Sequence, residues 1–308
     1  MTARTANARR RGIVAQALAY AAATGAAWLT IHLLGQQFSP LGNAAVADFV
    51  ATGVVFGFSV ALSNSSMYDP YWSVAPPLLW VYWLTTGPSS PRAWLTGALV
   101  LVWAVRLTWN FFRGWQGPQH EDWRYRNIRA QTGRAYWLVS FAGIHAMPTL
   151  MTFAGSVPLY VVTAYSGAPL GLWDALAALV TLAGIGCEWL ADAQLHRYRR
   201  SGPAPDAFLR SGLWRYSRHP NYFGEILFWW GLYLFALAAG RTYWWSGLGA
   251  VLITLLFLGI SIPMIDRRMR ARRPGYRNYE AQVSALVPWF PGRANPGGRD
   301  EALHAEGG

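Results

Sequence analysis

The chain has 308 residues, of which 53% are hydrophobic, 15% are aromatic and only 13% are charged. The apolar residues fall in runs of roughly 18 to 25, the length that crosses ~30 Å of hydrocarbon as a helix, which argues against an ordinary soluble domain. A net charge of +12 would indicate nucleic acid for a soluble protein. In a membrane protein, by contrast, the main role of arginines in the loops is to set the topology. No nucleic-acid partner is therefore expected.

Eight apolar runs are predicted to form transmembrane helices. Two of the runs make the count seven or eight. The run at residues 71–86 is short for a span and contains two prolines, and the run at residues 136–165 is long for a single span and also contains two prolines. The predicted fold class is therefore all-α, a polytopic membrane helical bundle with seven or eight transmembrane helices. The eight runs are residues 13–34, 44–62, 71–86, 93–112, 136–165, 172–191, 223–239 and 244–262.

The arginines predict the orientation of these helices. With the N-terminus in the cytoplasm, the four outside connections contain only Arg92 and Arg241, and the other loop arginines face inward. Both termini are then cytoplasmic, and we expect a bacterial inner membrane. Residues 1–12 are predicted to be a basic cytoplasmic segment, residues 13–292 a single membrane domain, and the Gly-rich residues 293–308 a disordered tail.

The connection between the second and third runs holds an acid and two phenols, Tyr68, Asp69 and Tyr71. Asp69 is a candidate for chemistry, or it caps the following helix. At the end of the fourth run, Arg106 and Asn110 share one helix face. His145 lies within the fifth run, where a hydrogen bond between helices explains it as well as a functional role does.

The end of the sixth run carries Glu188, Asp192 and His196 at every fourth residue. One helix face with two carboxylates and a histidine suggests a metal, but no further ligand of suitable spacing accompanies them. We therefore predict hydrogen bonding and no metal site. The single cysteine, Cys187, is adjacent and excludes an intrachain disulfide and a cysteine metal cluster.

A dense polar block precedes the seventh run, with the sequence SRHPNYFGE at residues 217–225. Pro220 is predicted in the first turn of a helix, which places Asn221 and Glu225 on one face. A carboxylate about one turn inside the membrane is a functional candidate. The alternative is a helix cap with a buried Glu–Arg pair that locks two helices together.

A third block, residues 261–290, alternates guanidinium and phenol groups. Arginine forks bind phosphate bidentately and tyrosine rings stack on flat heterocycles, so the block suits a nucleotide with several phosphates. Topology and lipid headgroups explain the same arginines equally well. Neither GxGxxG after a strand nor GxxxxGK[ST] nor GxSxG occurs, which excludes a Rossmann unit, a P-loop and a nucleophile elbow.

Residues 188–194, 217–225 and 261–290 resemble the signatures of the DUF1295 group within the steroid 5-alpha-reductase-like membrane proteins. The resemblance covers roughly residues 68–291. The RHPxYxG part is also similar to isoprenylcysteine carboxyl methyltransferases and sterol reductases. The methyltransferases usually carry a Glu pair where this chain has Asp266, Arg267 and Arg268, which favours the reductases.

The resemblance implies NADPH in a cytoplasm-facing cavity among the later helices, and hydride transfer to an alkene conjugated to a carbonyl. Its implied cofactor-binding residues are Arg106, Asn110, Asp192, Arg218, His219, Asn221, Tyr222, Arg268, Tyr276 and Tyr279. Steroid reductases polarise the carbonyl with a Glu and a Tyr from early helices, for which Tyr68, Asp69 and Tyr71 are the nearest candidates. Glu225 is implied to orient neighbouring groups.

The expected function is reduction of a lipophilic enone, steroid-like or lipid-like, that enters from the bilayer. The partners are that substrate and membrane lipids. Two alternatives stay open: an S-adenosylmethionine-dependent methyltransferase of the isoprenylcysteine carboxyl type, and a non-enzymatic membrane scaffold. Cofactor binding separates the three.

Overall fold

The computed structural model describes residues 3–165 and 169–292, and in these ranges every regular element is helical. The all-α prediction is confirmed. A π-helical turn at Ser140–Ala146 joins α6 to α7, and another at Phe257–Ser261 joins α10 to α11. The α-helices are α1 Ala3–Leu34, α2 Pro40–Ala61, α3 Tyr71–Thr86, α4 Pro91–Gly114, α5 Trp123–Thr132, α6 Tyr136–Val139, α7 Met147–Ala164, α8 Leu172–Arg200, α9 Pro220–Ala239, α10 Leu248–Leu256, α11 Ile262–Arg272 and α12 Tyr276–Gln282.

Within the described residues, seven helical stretches are long and apolar enough to cross a membrane. They correspond to seven of the eight predicted runs, so the chain is a multi-pass membrane protein. The remaining run forms α3 with the predicted bounds, but its 16 residues span only about 24 Å. The seven stretches are Arg9–Leu34, Pro40–Ala61, Pro91–Gly114, Trp123–Ala164, Leu172–Arg200, Pro220–Ala239 and Arg241–Arg272.

Although α3 is short, it runs between the same two ends of the helical bundle as α4 does. Before α3, the Asn64 amide donates to the Pro118 carbonyl in the segment that follows α4, at 2.5 Å. Towards the end of α3, the Trp83 indole donates to the Pro40 carbonyl at the start of α2, at 3.3 Å. The α2–α3 and α4–α5 connections therefore lie at one end, and the α1–α2 and α3–α4 connections at the other.

The described residues fall into two compact units. Unit 1 comprises Met1–Leu182 and Trp229–Ile253, and unit 2 comprises Ala183–Phe228 and Thr254–Gly308. The largest fully buried side chains of unit 1 are aromatic and include Trp83, Trp103 and Trp229. Aromatic rings of this size hold neighbouring helices together, because each ring buries a large apolar area in the contact.

Arg92 of unit 1, which the sequence places in an outside connection, is the second residue of α4 and is buried. Its guanidinium makes a bidentate ion pair with Asp174 near the start of α8, with Nε–Oδ1 and Nη2–Oδ2 distances of 2.6 and 2.9 Å. The backbone N–H of Gly171 donates to the same carboxylate at 2.9 Å. This arginine therefore ties two helices together at the α3–α4 end of the unit.

Unit 2 brings α8 and α9 together at two glycines. A Cβ atom on Gly224 would lie 2.6 Å from the backbone nitrogen of Glu188, and one on Gly184 would lie 2.6 Å from that of Phe228. Only hydrogen fits at either position, so the two backbones are in direct contact. This contact fixes the register of the polar residues on α8 against those on α9.

Two predictions concern residues at the margins of the described chain. The tail at 293–308, predicted to be disordered, lies outside the described residues, as do residues 166–168 of a predicted outside loop. Residues 3–12 of the predicted basic segment are continuous with the first span, because α1 begins at Ala3.

Candidate functional site

Unit 1 contains a buried carboxyl–phenol pair between two early helices. The hydroxyl of Tyr71, the first residue of α3, donates to Oδ1 of Asp48 on α2 at 2.6 Å and lies 3.0 Å from the Asp48 carbonyl. The two residues are 4% and 6% exposed. Asp48 lies within a candidate span, where an acid demands a partner and marks a functional candidate.

Tyr68 extends this pair into a hydroxyl chain. Its ring stacks on that of Tyr71, with centroids 5.0 Å apart and planes at 19°. Its hydroxyl contacts Thr149 Oγ1 on α7 at 2.7 Å, and Thr149 contacts Thr52 Oγ1 on α2 at 2.7 Å. Burial raises the pKa of the Tyr68 phenol well above its usual value, so the phenol stays protonated as a hydrogen-bond donor.

Asp69 faces a different partner. Its Oδ1 accepts a hydrogen bond from the Tyr125 hydroxyl of α5 at 2.5 Å. Burial raises the pKa of the carboxyl to about 6, against the opposing effects of the Arg124 cation and the Tyr125 hydrogen bond. The capping alternative is not found, since Pro70 precedes α3 and this helix start has no side-chain cap.

Helix α1 contributes polar groups that sequence reasoning missed. The Gln16 amide donates to the Met67 carbonyl at 2.7 Å, and the Tyr20 hydroxyl contacts the same carbonyl at 3.1 Å. Asp48 was also missed. The available signal was polarity inside an apolar run, which holds for Gln16 and for Asp48, the one acid of residues 44–62.

His145 lies in the first π-helical turn and joins two helices. Its Nε2 is 3.0 Å from Ser59 Oγ on α2, and its Nδ1 is 3.0 Å from the Ser140 carbonyl. The interhelical hydrogen bond left open by the sequence is thus present. The imidazole also packs against Tyr68, with ring centroids 4.8 Å apart.

The predicted cofactor residues divide between the units. Arg106 and Asn110 belong to unit 1, one turn apart on α4 and partly buried, and each has a polar or electrostatic partner. The other eight belong to unit 2. They are Asp192, Arg218, His219, Asn221, Tyr222, Arg268, Tyr276 and Tyr279.

Asp266 is the centre of a polar cluster in unit 2. Its carboxylate accepts hydrogen bonds from Arg218 Nη2 at 2.8 Å, His219 Nε2 at 2.9 Å and the Tyr276 hydroxyl at 2.5 Å. The acid is buried, and three donors from the loop before α9 and from α12 compensate its charge. The cluster therefore joins the SRHPNYFGE block to the last helices.

The remaining contacts of this cluster reach past α12. Arg218 Nη1 donates to the Glu280 and Val283 carbonyls at 2.9 and 2.7 Å, and the Tyr279 hydroxyl donates to the Trp214 carbonyl at 2.5 Å. Burial raises the pKa of the Tyr279 phenol, as it does for Tyr276, where the nearby carboxylate adds to the effect. These side chains have partners within the chain, and their contact with a cofactor stays a prediction.

Asp192 and Asn221 meet across α8 and α9. The Asn221 amide lies 3.3 Å from Asp192 Oδ1, and both side chains are partly buried. Glu225 follows one turn later on α9 and is buried, with a polar or electrostatic partner. Tyr222 stacks on the His219 ring at 5.4 Å between centroids. The predicted shared face of α9 thus holds an amide and an acid at the α8 contact.

Unit 2 also contains buried hydrogen-bond donors, most of them guanidinium groups, for which no described residue supplies an acceptor. They are Arg218 Nε and both Nε and Nη1 of Arg273, together with the hydroxyl of Tyr198. Buried N–H donors without acceptors are costly, and an anionic group would compensate them. Each of these donors therefore suits an anionic group such as a phosphate. Among the described residues, no group of three His, Cys, Asp or Glu side chains is placed to hold a metal.

Comparison with known proteins supplies the family. Residues 55–283 match DUF1295, a family described as being of unknown function. Over 285 residues the chain is 27% identical to an uncharacterized protein of the fission yeast Schizosaccharomyces pombe, which covers 82% of this chain and 81% of the relative. The family match extends over well more than half of the sequence, from the end of α2 to the residue after α12. The chain belongs to the DUF1295 family.

Proposed function

We propose that the protein is a membrane-embedded reductase that uses NADPH to saturate the carbonyl-conjugated alkene of a lipophilic substrate. The observation that carries the proposal is the Asp48–Tyr71 pair, a buried acid and phenol 2.6 Å apart on α2 and α3. The resemblance to steroid 5-alpha-reductases implies an acid and a phenol from early helices for polarising the carbonyl. Both members of this pair belong to early helices, whereas the phenol bonded to Asp69 is that of Tyr125 on α5.

In the proposed mechanism, the Asp48–Tyr71 pair binds the carbonyl oxygen of the substrate. A phenol or carboxyl proton donated to that oxygen stabilises the negative charge that develops as the enolate forms. Low exposure of the pair strengthens this interaction, because few competing waters and a low dielectric surround it. The chemistry that NADPH supplies when bound is a hydride for the β carbon. A proton from water then adds to the α carbon, so that one hydride and one proton together saturate the double bond.

Tyr68 has a positioning role in this proposal. Its ring covers one face of Tyr71, and Thr149 holds its hydroxyl in place. Tyr71 therefore keeps one orientation towards Asp48, as a donor that acts on developing charge requires. Asp69 and Glu225 stay predicted catalytic residues that no contact with a substrate yet supports.

NADPH would be held by residues of unit 2. We assign the nicotinamide amide to Asn221 with Asp192, and the phosphates and ribose to Arg218, Arg268 and Arg273, because the unpartnered donors of two of these arginines suit an anion. His219, Tyr222, Tyr276 and Tyr279 would then support these residues.

The cellular setting is also part of the proposal. We place the protein in the inner membrane of a bacterium, where the arginine-rich loops would face the cytoplasm. The complete preference for arginine over lysine is consistent with a GC-rich genome. The yeast relative indicates that related chains occur in eukaryotes as well.

Calorimetric titration of the purified protein in detergent with NADPH, NADH and S-adenosylmethionine tests the cofactor. Any nucleotide that copurifies is removed first. Selective binding of NADPH is the expected result. Binding of S-adenosylmethionine instead would identify a methyltransferase, and no binding of any of the three would favour a non-enzymatic scaffold.

The polarising pair is tested with Tyr71→Phe and Asp48→Asn on an enone that the protein reduces. We expect kcat to fall by about 10²–10³ in each variant, because one donor to the developing charge is lost, while NADPH affinity is unchanged. Tyr82→Phe removes a hydroxyl from the same helix and serves as the control. Wild-type rates in both site variants would refute the assignment.

A further inference from the structure

The segment that follows α12 has a fixed backbone without being helical. Within residues 284–292, the Leu286 carbonyl accepts from Ser217 Oγ at 2.7 Å, and the Trp289 N–H donates to the Tyr216 carbonyl at 2.9 Å. The Gly292 N–H donates to the Gln282 carbonyl at 2.8 Å. These hydrogen bonds, with one from the Arg218 N–H to the Ser284 carbonyl at 2.9 Å, hold the segment against the loop that precedes α9 and against the end of α12. We name residues 286–290 the aromatic shelf.

The aromatic shelf presents large apolar side chains outward. Val287, Trp289 and Phe290 are 55%, 70% and 77% exposed. The shelf lies outside all seven candidate membrane spans, so hydrocarbon contact along a crossing helix does not account for this exposure. Neighbouring exposed apolar side chains on a fixed backbone are typical of an interaction surface.

The position of the aromatic shelf indicates what covers it. Trp289 is bonded to the backbone of Tyr216, and the Phe290 ring packs edge-on to the Tyr216 ring with centroids 5.9 Å apart. Tyr216 stands four residues before Pro220, where a candidate span begins. The shelf is therefore held at the level where α9 enters the bilayer, the depth at which Trp and Tyr rings are favoured.

The surroundings of the shelf suit lipid headgroups. Arg215 is exposed, and its guanidinium lies 5.9 Å from the centre of the Tyr216 ring. An arginine beside exposed aromatic rings pairs with headgroup phosphates while the rings enter the acyl boundary.

We propose that Val287, Trp289 and Phe290 form an interfacial anchor that inserts into the headgroup–acyl boundary of the bilayer beside α9. The anchor joins the last described residues to the membrane surface through a segment that does not cross it. The inference is independent of the reductase proposal, since it depends on exposure, backbone contacts and the start of α9 alone.

The test uses spin labels at single cysteines in the full chain, with Cys187→Ser as the background. Serine keeps a donor for the Pro220 carbonyl, which the Cys187 thiol contacts at 3.4 Å. Labels are placed by Trp289→Cys and, separately, by Phe290→Cys. The matched controls are Arg277→Cys, exposed on α12, and Leu182→Cys, exposed on the apolar part of α8.

Each variant is reconstituted in vesicles of phosphatidylethanolamine and phosphatidylglycerol, and collision of the label with oxygen and with a water-soluble nickel complex is measured. We expect labels at 289 and 290 to favour oxygen several-fold over the Arg277→Cys control and to approach Leu182→Cys. Ready collision with nickel at both positions would place the shelf in water. Weak collision with both reagents would mean that protein covers it. Either result overturns the proposal, and elution as a single species shows that the variants fold.

Discussion

The buried carboxyl of Asp69 predicts that the stability of the protein depends on pH. Burial raises the pKa of its carboxyl to about 6, above the value of about 4 in an unfolded chain. Folding therefore takes up a proton between these values. The stabilising contribution is greatest below pH 4, falls as pH rises towards 6 and is lost above it. Wild-type protein should accordingly lose thermal stability between pH 4 and pH 7 relative to Asp69→Asn, which keeps an acceptor for Tyr125.

The measurement is the midpoint of thermal unfolding in detergent at several pH values. Asp206→Asn changes an exposed acid and is the control, for which a pH dependence like that of the wild type is expected. Identical pH profiles for Asp69→Asn and the wild type would show that the Asp69 carboxyl titrates normally.

The contact between Asn221 and Asp192 predicts an effect on cofactor affinity. If their contact holds the cofactor amide, Asn221→Ala and Asp192→Ala should each weaken NADPH binding about tenfold, the effect of losing one net hydrogen bond. Titration calorimetry measures this affinity. Asn278→Ala removes an exposed amide from α12 and should bind as the wild type does. Unchanged affinity in both site variants would contradict the assignment.

The contact between α8 and α9 is sensitive to a single methyl group. Gly224→Ala and Gly184→Ala each place a Cβ against backbone atoms of the other helix, so we expect a loss of about 1–3 kcal/mol. Gly186→Ala, on α8 with no neighbour within 4 Å, should instead stabilise the helix by about 0.4–1 kcal/mol. Thermal or denaturant unfolding distinguishes them, and equal effects at the three sites would refute close contact.

The predicted and observed ends of the helices show which helix ends can be predicted from the sequence. The apolar run 71–86 became α3 with both bounds as predicted, because Gly87 and the residues before Tyr71 differ sharply from it. Helix α8 continues to Arg200, past the predicted end at Ala191. Hydropathy indicates only the part of a helix that lipid covers, and gives no signal where a helix continues into polar surroundings.

The candidate site was predicted unevenly for a related reason. Local signals identified Tyr71 and the SRHPNYFGE block, since both are polar where an apolar run begins. The pairing of Tyr71 with Asp48 joins positions 23 residues apart, and that of Arg218 with Asp266 joins positions 48 apart. Spacing within one helix carries no information about contacts between distant helices, so these partners required the structure.

The predicted orientation of the helices in the membrane is tested by cysteine labelling. Single cysteines replace Gln36, Ser89 and Gln119, which are exposed in connections of unit 1, with Cys187→Ser as the background. A membrane-impermeant maleimide should label positions 36 and 89 from outside intact cells, and position 119 only in inverted vesicles. Labelling of 36 and 89 from opposite sides would mean that α3 does not cross.

The cluster around Asp266 also has a consequence for the order of synthesis. Arg218 emerges just before α9, but its carboxylate partner comes 48 residues later and its last carbonyl acceptor 65 residues later. While α9 is being inserted, these acceptors are absent, and water and headgroup phosphates can bind the guanidinium in their place. The exchange of those partners for Asp266 and the Val283 carbonyl can occur only after α11 and α12 have been translated. Unit 2 is thus completed only after α9 has been inserted. A nascent chain halted before Asp266 would leave Arg218 at the membrane surface.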